Sequence, residues 1–271
     1  MSSQLLLTVA VHSYKNPEML RMCLDSIFEH VRDISFEVIV SDGATEEETY
    51  MMMRHDFPTV RFFPFVENVG FSALVNNSIE HAQGEYLFII NADIVLTLGG
   101  VDHLLSLLQS DSSIGVCGPK QLSFDGTLQY TCFRFYRMVT ILYRRTFLKK
   151  FSFVQRHLAW FTMNDFDHNT VRDVDWLLGS ALMMSRKSLD IVGLMDRRFF
   201  MYMEDVDWCR RFWENNLRVV YDPHAVIYHY YGKGSARGGF FYSLFFNRLT
   251  WVHIVSAVKY FRKYWRKSLP R

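Results

Sequence analysis

The chain has 271 residues, of which 49% are hydrophobic and 16% aromatic, and its formal charge is only +2. Such a composition excludes a disordered chain and is large enough for one sizeable core or two modest ones. Four cysteines, Cys23, Cys117, Cys132 and Cys209, form no CxxC pair and no metal-ligand spacing, which points away from zinc modules and towards a reducing compartment.

The small net charge hides an asymmetry. Residues 126–164 contain seven Lys/Arg and no Asp or Glu, and residues 223–271 contain nine Lys/Arg and again no acid. An acidic-leaning body with two basic, aromatic-rich segments predicts contact with an anionic surface. No RNP, zinc-finger or helix-turn-helix pattern accompanies the charge, so nucleic acid is not the expected partner. Cations interleaved with Phe, Tyr, Trp and Leu suit a membrane face.

In chain order, residues 5–11 form an apolar, β-prone run too short for a signal peptide and read as a buried first strand. Asn16-Pro17-Glu18 opens an amphipathic helix with Leu20, Cys23, Leu24, Ile27 and Phe28 at helical spacing. A second strand over 36–40 ends at Ser41-Asp42-Gly43, a helix follows over 46–55, and a short strand over 60–65. Asn68-Val69-Gly70-Phe71 is a turn before a helix over 72–82, and a strand over 86–90 ends in Asn91-Ala92-Asp93. Strands alternating with helices predict βαβ units and a mainly parallel sheet flanked by helices.

In open α/β sheets ligands bind beyond the carboxyl ends of the strands. Ser13, Asp42, Asn91 and Asp93 fall there. Asp42 suits hydrogen bonds to a base or ribose, or equally a turn; Asp93 suits a divalent cation through oxygen, or a cap. No GxGxxG or Walker sequence is present.

Beyond Gly118-Pro119 come the first basic segment, then Asp175-Trp176-Leu177-Leu178-Gly179-Ser180-Ala181, then Phe200-Met201-Tyr202-Met203-Glu204-Asp205-Val206-Asp207 before an arginine pair. Three carboxylates in four positions are costly unless something uses them. They suit the acidic first turn of a helix, or a catalytic base, Asp205, at the mouth of a cleft. Strand-like 218–221 and 226–229 lead to His229 and a loop holding Lys233 and Ser235, with backbone donors and one cation suited to a diphosphate. Over 254–267, Ser256, Lys259, Arg262, Lys263 and Arg266 take one helical face, and Ile254, Ala257, Val258, Phe261, Tyr264 and Trp265 the other. Charge-free runs here reach only ten residues, too few to span a bilayer, so the segment reads as an interfacial helix.

Together these segments resemble glycosyltransferase family 2, in particular its bacterial rhamnosyltransferase-like branch. The elements that carry the resemblance run from about residue 7 to 235: the first strand through Tyr14, Val38 to Gly43, Asn68 to Phe71 with Asn76, Gly84 to Asp93, Asp175 to Ala181, Phe200 to Arg211, and His229 to Ser235. The resemblance implies a GT-A fold over 1–238, with a nucleotide-binding half over about 1–118, an acceptor-binding half over 119–238, and a basic amphipathic helical appendage over 239–271. It implies an inverting, non-processive transferase, since the QxxRW element of processive synthases is absent. Donor contacts are expected from Val11, Ser13, Asp42, Asn68, Gly70, Asn76, Asn91, Lys233 and Ser235, and acceptor contacts from Trp176, Gly179 and Glu204. Asp93 and His229 are expected to hold Mg²⁺ or Mn²⁺, and Asp205 to act as base. Asn91 replaces the first acid of the usual DxD.

The branch tilts the donor towards dTDP-rhamnose, and the basic segments tilt the acceptor towards a polyprenyl-diphosphate-linked saccharide at the cytoplasmic face of the cell membrane. A UDP-hexose donor and a membrane-docked, non-catalytic scaffold are the competing readings. A sugar-phosphate nucleotidylyltransferase is disfavoured, because residues 9–17 contain no glycine.

Overall fold

The computed structural model describes residues 5–230 and 248–271. Strand β1 (Leu7–Tyr14) is buried along all but its last residue because it lies between two parallel neighbours. These are β2 (Phe36–Gly43) and β4 (Tyr86–Asn91), with β3 (Arg61–Pro64) added parallel outside β2. The sheet continues through β11 (Ala181–Ser185), β6 (Ile114–Leu122), β12 (Arg218–His229) and β5 (Ile94–Leu96). β11 runs antiparallel to both β4 and β6, whereas β12 is parallel to β6, so the sheet is parallel in its first half and mixed in its second. Short strands β7 (Leu128–Gln129) and β9 (Arg172–Asp173) flank it, and β8 (Cys132–Phe133) pairs with β10 (Trp176–Leu177) apart from it.

Side chains alternate across the pleat, so each strand feeds two cores. Val9, Val11, Phe88 and Ile90 meet α1 (Pro17–His30), α2 (Glu47–Asp56) and α4 (Gly100–Ser110) on one face. Ala10, Leu87, Ile89, Leu182 and Met184 meet α3 (Phe71–His81), α7 (Arg186–Val192) and α8 (Glu204–Glu214) on the other. Asn16 caps α1 by accepting from the Met19 amide at 3.2 Å, and Pro17 sits where its missing N–H costs nothing. The strand pair expected over 218–221 and 226–229 is one twelve-residue strand with a register shift between Asp222 and Val226.

The first basic segment folds into α5 (Met138–Arg145) and α6 (Ser152–Phe161), and the C-terminal one into α9 (Arg248–Lys263). The division of faces expected for the last helix is corrected. Ser256, Ala257, Tyr260 and Tyr264 are buried against the body, whereas Trp251, Val255, Val258 and Trp265 face outward. The reason is polar anchoring: Asp207, fully buried on α8, accepts from Tyr264 Oη at 2.9 Å and from Lys263 Nζ, and pairs with Arg211 Nε at 3.0 Å. Ser256 Oγ donates to the Met201 carbonyl at 2.8 Å, and the Arg210 guanidinium stacks 3.8 Å from the Tyr264 ring centre. No helix among the described residues is long and apolar enough to cross a membrane.

Removing Asp207 leaves Lys263 and Arg211 without their shared buried counter-charge. Asp207→Ala is therefore expected to cost about 3 kcal/mol in urea unfolding. Limited proteolysis of the variant should cut first within residues 248–271.

Candidate active site

The carboxyl ends of β1 and β4 converge on a cleft of about 230 Å³. Ser13, Asn68, Asn91 and Asp93 line it, joined by His12 and Phe71. Asp42 stands beside Ser13 in the β1–β2 register and is fully buried. Neither of its carboxylate oxygens has a hydrogen-bond partner. Burial raises its pKa, and the nearby Thr45 and Ser13 hydroxyls offset this only in part. Asp42, expected as a donor contact, lies behind the cleft and is not among the residues that line it.

His12 was not singled out from sequence. Its ring sits edge-on to Phe71 at 5.7 Å, its Nε2 lies 3.2 Å from Ser78 Oγ, and burial lowers its pKa to about 3, so it stays neutral. A histidine inside an apolar strand carries no local signal that separates a cleft wall from a core position.

Asp93 and His229 meet across the end of the cleft, with Nε2 3.4 Å from Oδ1. Gln129 orients the imidazole. Its Nε2 donates to the His229 carbonyl at 2.8 Å, which presents Oε1 to His229 Nδ1 at 2.9 Å. Nδ1 therefore carries the hydrogen, and Nε2 is directed at a carboxylate oxygen that accepts no hydrogen bond. A proton on Nε2 satisfies that juxtaposition, and so does a cation between the two. Imidazole plus carboxylate is a donor set that Mn²⁺ or Mg²⁺ accepts, so the residues fit such an ion. Among the described residues no cluster of three or more His, Cys, Asp or Glu forms, so further ligands would be solvent or ligand oxygens.

The second carboxylate centre lies on the start of α8. Asp205 Oδ2 accepts from the Gly179 amide at 3.0 Å and Oδ1 from the Val206 amide at 2.8 Å. A Cβ on residue 179 would lie 3.3 Å from the Asp205 Cβ and 3.4 Å from the Phe71 ring, so the glycine allows the carboxylate to reach the strand. Next along, the Ser180 carbonyl accepts from the Asn91 amide at 3.0 Å. Two successive residues thus bridge the start of α8 to the end of β4. Glu204 is also buried and leaves Oε2 without a partner. Burial raises the pKa of both carboxyls, and the charge of Asp205 raises Glu204 further.

The loop before Glu204 is strained: Tyr202 and Met203 both take left-handed backbone angles, with φ of 69° and 70°. It is pinned by Phe71 N donating to Phe200 O at 2.8 Å and by the Ser72 hydroxyl on Phe199 O. Gly70, with φ of 84°, permits that approach, since a Cβ there would lie 2.5 Å from Phe200 O.

Three further expectations are corrected. Val11 is locked in the ladder between β2 and β4 with its side chain in the core, so it cannot reach a donor. Asn76 uses both ends of its amide on the Met195 backbone, at 2.8 and 2.9 Å, and is a clamp between α3 and the segment before α8. Trp176 stacks on Phe133 at 4.4 Å and donates Nε1 to the Arg134 carbonyl, making it a core residue and not an acceptor platform. Gly179 holds Asp205 through its amide. Lys233 and Ser235 lie outside the described residues.

A mixed α/β sheet with a cleft at its parallel strand ends is the layout in which open α/β enzymes bind their ligands. Residues 8–170 match the family model "Glycosyl transferase family 2", and the chain belongs to that family. It is a glycosyltransferase with a GT-A fold. Among its relatives is N-acetylglucosaminyl-diphospho-decaprenol L-rhamnosyltransferase of Mycobacterium tuberculosis, 26% identical over 242 residues that cover 84% of this chain and 77% of that protein. Low-salt glycan biosynthesis hexosyltransferase Agl10 of Haloferax volcanii is 20% identical over 224 residues, covering 79% of this chain and 63% of its own. Among solved structures, GalNAc-T7 with UDP, GalNAc and Mn²⁺ superposes with a TM-score of 0.67 at 12% identity, covering 98% of this chain. The chain spans 49% of that neighbour's length.

Proposed function

We propose that the chain transfers a single sugar, with inversion, from a nucleoside-diphosphate sugar to a lipid-diphosphate-linked saccharide, with dTDP-rhamnose as donor. The observation that carries this is the Asp205 carboxylate, fixed by two backbone amides next to the strand end that bears Asn91 and Asp93. The rhamnosyltransferase relative, named for a diphospho-decaprenol saccharide, supports the sugar and the acceptor class. The neighbour solved with UDP and GalNAc favours a second reading, a UDP-hexose donor in the same cleft.

An acceptor hydroxyl is a weak nucleophile at neutral pH and must lose its proton as it attacks the anomeric carbon. Each Asp205 oxygen accepts one amide and keeps a lone pair for that proton. Burial increases the basicity of the carboxylate, and the adjacent buried Glu204, raised by burial and by the charge of Asp205, disfavours a second negative charge beside it. A single base and a single displacement invert the anomeric centre. Asn68 would hold the nucleoside, and Asp93 with His229 would hold Mn²⁺ or Mg²⁺. That ion, when bound, supplies positive charge for the departing diphosphate.

The outward face of the last helix supports docking on an anionic bilayer. Trp251, Val258 and Trp265 are 51%, 61% and 65% exposed and, with Val255, alternate with Lys259, Arg262 and Arg266. Apolar side chains on the surface among cations match the interface between headgroup and acyl chain. We place the enzyme peripherally on the cytoplasmic face of the cell membrane.

Asp205→Asn is expected to lower the transfer rate by about 100- to 10,000-fold, while calorimetric binding of dTDP or UDP with Mn²⁺ is unchanged; normal turnover would remove Asp205 from the mechanism. The base must be ionised to work, and its pKa is raised, so the transfer rate should climb with pH to a plateau, with a midpoint above the ordinary carboxylate value of about 4. The linkage runs the other way for folding: carboxyls with raised native pKa values favour the fold at low pH, and that contribution is lost as pH rises through the native values. Urea midpoints measured across the same window should therefore fall as activity rises. Trp251→Ser combined with Trp265→Ser should abolish flotation with phosphatidylglycerol liposomes while leaving the melting temperature within a few degrees. Undiminished flotation would count against the docking face.

A further inference from the structure

A second cavity, of about 490 Å³, opens between α9 and the turn before the catalytic loop, lined by Arg198, Phe199, Lys259, Arg262 and Lys263. Its cations are not equally engaged. Asp196 holds Arg198 Nε at 2.9 Å and Lys263 Nζ at 2.8 Å, and Lys263 also reaches the buried Asp207. Among the described residues Lys259 meets a neutral carbonyl, that of Arg198, at 2.7 Å and no acid, and Arg262 makes no ion pair. One turn apart on the helix, Lys259 and Arg262 point to one side, so two uncompensated positive charges face one space. Both are exposed to solvent, so the pair is open to an incoming anion, and two adjacent cations favour a ligand with two negative groups.

The position narrows the anion. Phe199 is buried at the base of the cavity, and the chain then runs directly through the strained loop to Glu204 and Asp205. Met201 of that loop lines the donor cleft, and its carbonyl is held by Ser256 of α9. Outward, Arg262 lies on the same face of α9 as exposed Val255 and Val258. The cavity is thus flanked on one side by the loop that leads to the proposed base and on the other by the face assigned to lipid.

We propose that this cavity is the diphosphate subsite of a lipid-linked acceptor, with Lys259 and Arg262 binding the diphosphate and the lipid tail leaving along Val255 and Val258. The inference rests on the transfer reading for the identity of the ligand. Its binding test needs no donor, so a chain lacking transferase activity still reports on the cavity.

The test is calorimetric titration of the full chain with farnesyl diphosphate in an Asp93→Ala background, where the donor side is disabled. Binding is expected, weakened at least about tenfold by Arg262→Glu and further by Lys259→Glu with Arg262→Glu, and restored to within a few-fold by Arg262→Lys. With Asp93 intact, the double variant should raise KM for a water-soluble short-chain diphosphate-linked saccharide by a similar factor, with KM for the donor held. Farnesyl diphosphate binding that ignores the double charge reversal would overturn the proposal. So would loss of binding to phosphatidylglycerol vesicles with soluble acceptor KM unchanged, because the cavity would then read lipid headgroups and not the acceptor.

Discussion

The hydrogen bond from the Gly179 amide to Asp205 joins the sheet to the helix that carries the proposed base. One residue further on, the Ser180 carbonyl receives the Asn91 amide, so the end of β4 and the start of α8 are tied through two consecutive peptide units. A carboxylate held this way does not depend on the rotamer of a flexible neighbour. It is kept in an orientation fixed by backbone, in surroundings dry enough to raise its pKa. The proposed chemistry requires that the acid on α8 and the acid beyond β4 face one region, and this pair of amides ties together the segments that carry them.

The same junction explains why the segment before α8 tolerates strain. Two left-handed residues in succession, Tyr202 and Met203, are unfavourable for side chains with a Cβ, and neighbouring contacts must compensate. Phe71 and Ser72 bind the carbonyls of Phe200 and Phe199, and Ser256 binds that of Met201. The helix α9 is part of this arrangement: through Asp207 and Ser256 it buttresses both the helix and the loop that present the carboxylates. The helix proposed to dock on lipid is therefore the same one that braces the loop before α8.

The ends of the parallel strands were legible in the chain. Ser13, Asp42, Asn91 and Asp93 could be placed because a parallel strand must end at the ligand edge of the sheet, and each strand end was marked by a switch from apolar to polar residues. β6 was not read as a strand, because Gly115, Gly118 and Pro119 resemble a turn; here β11 and β12 supply the pairing on either side. β11 is five residues between a glycine-serine turn and a helix, too short for periodicity to separate it from a buried helical stretch. Trp176 and Asn76 carried the residue types of a binding site but were absorbed into packing, one by the Phe133 ring and the other by the Met195 peptide.

By itself the sequence determined the alternation of elements, the acids at the strand ends, the membership of a sugar-transferring family and the presence of two acid-free, aromatic-rich basic segments. These are local or periodic properties, written in neighbouring residues. Only the tertiary structure decided which face of α9 is buried, that Asp207 braces the fold while Asp205 accepts from the Gly179 amide, that Gln129 orients His229 towards Asp93, and that Lys259 and Arg262 share a cavity with Arg198. Each of those depends on contacts between segments dozens to more than a hundred residues apart, and amphipathic spacing cannot say which of two mixed faces will find a buried counter-charge to dock against.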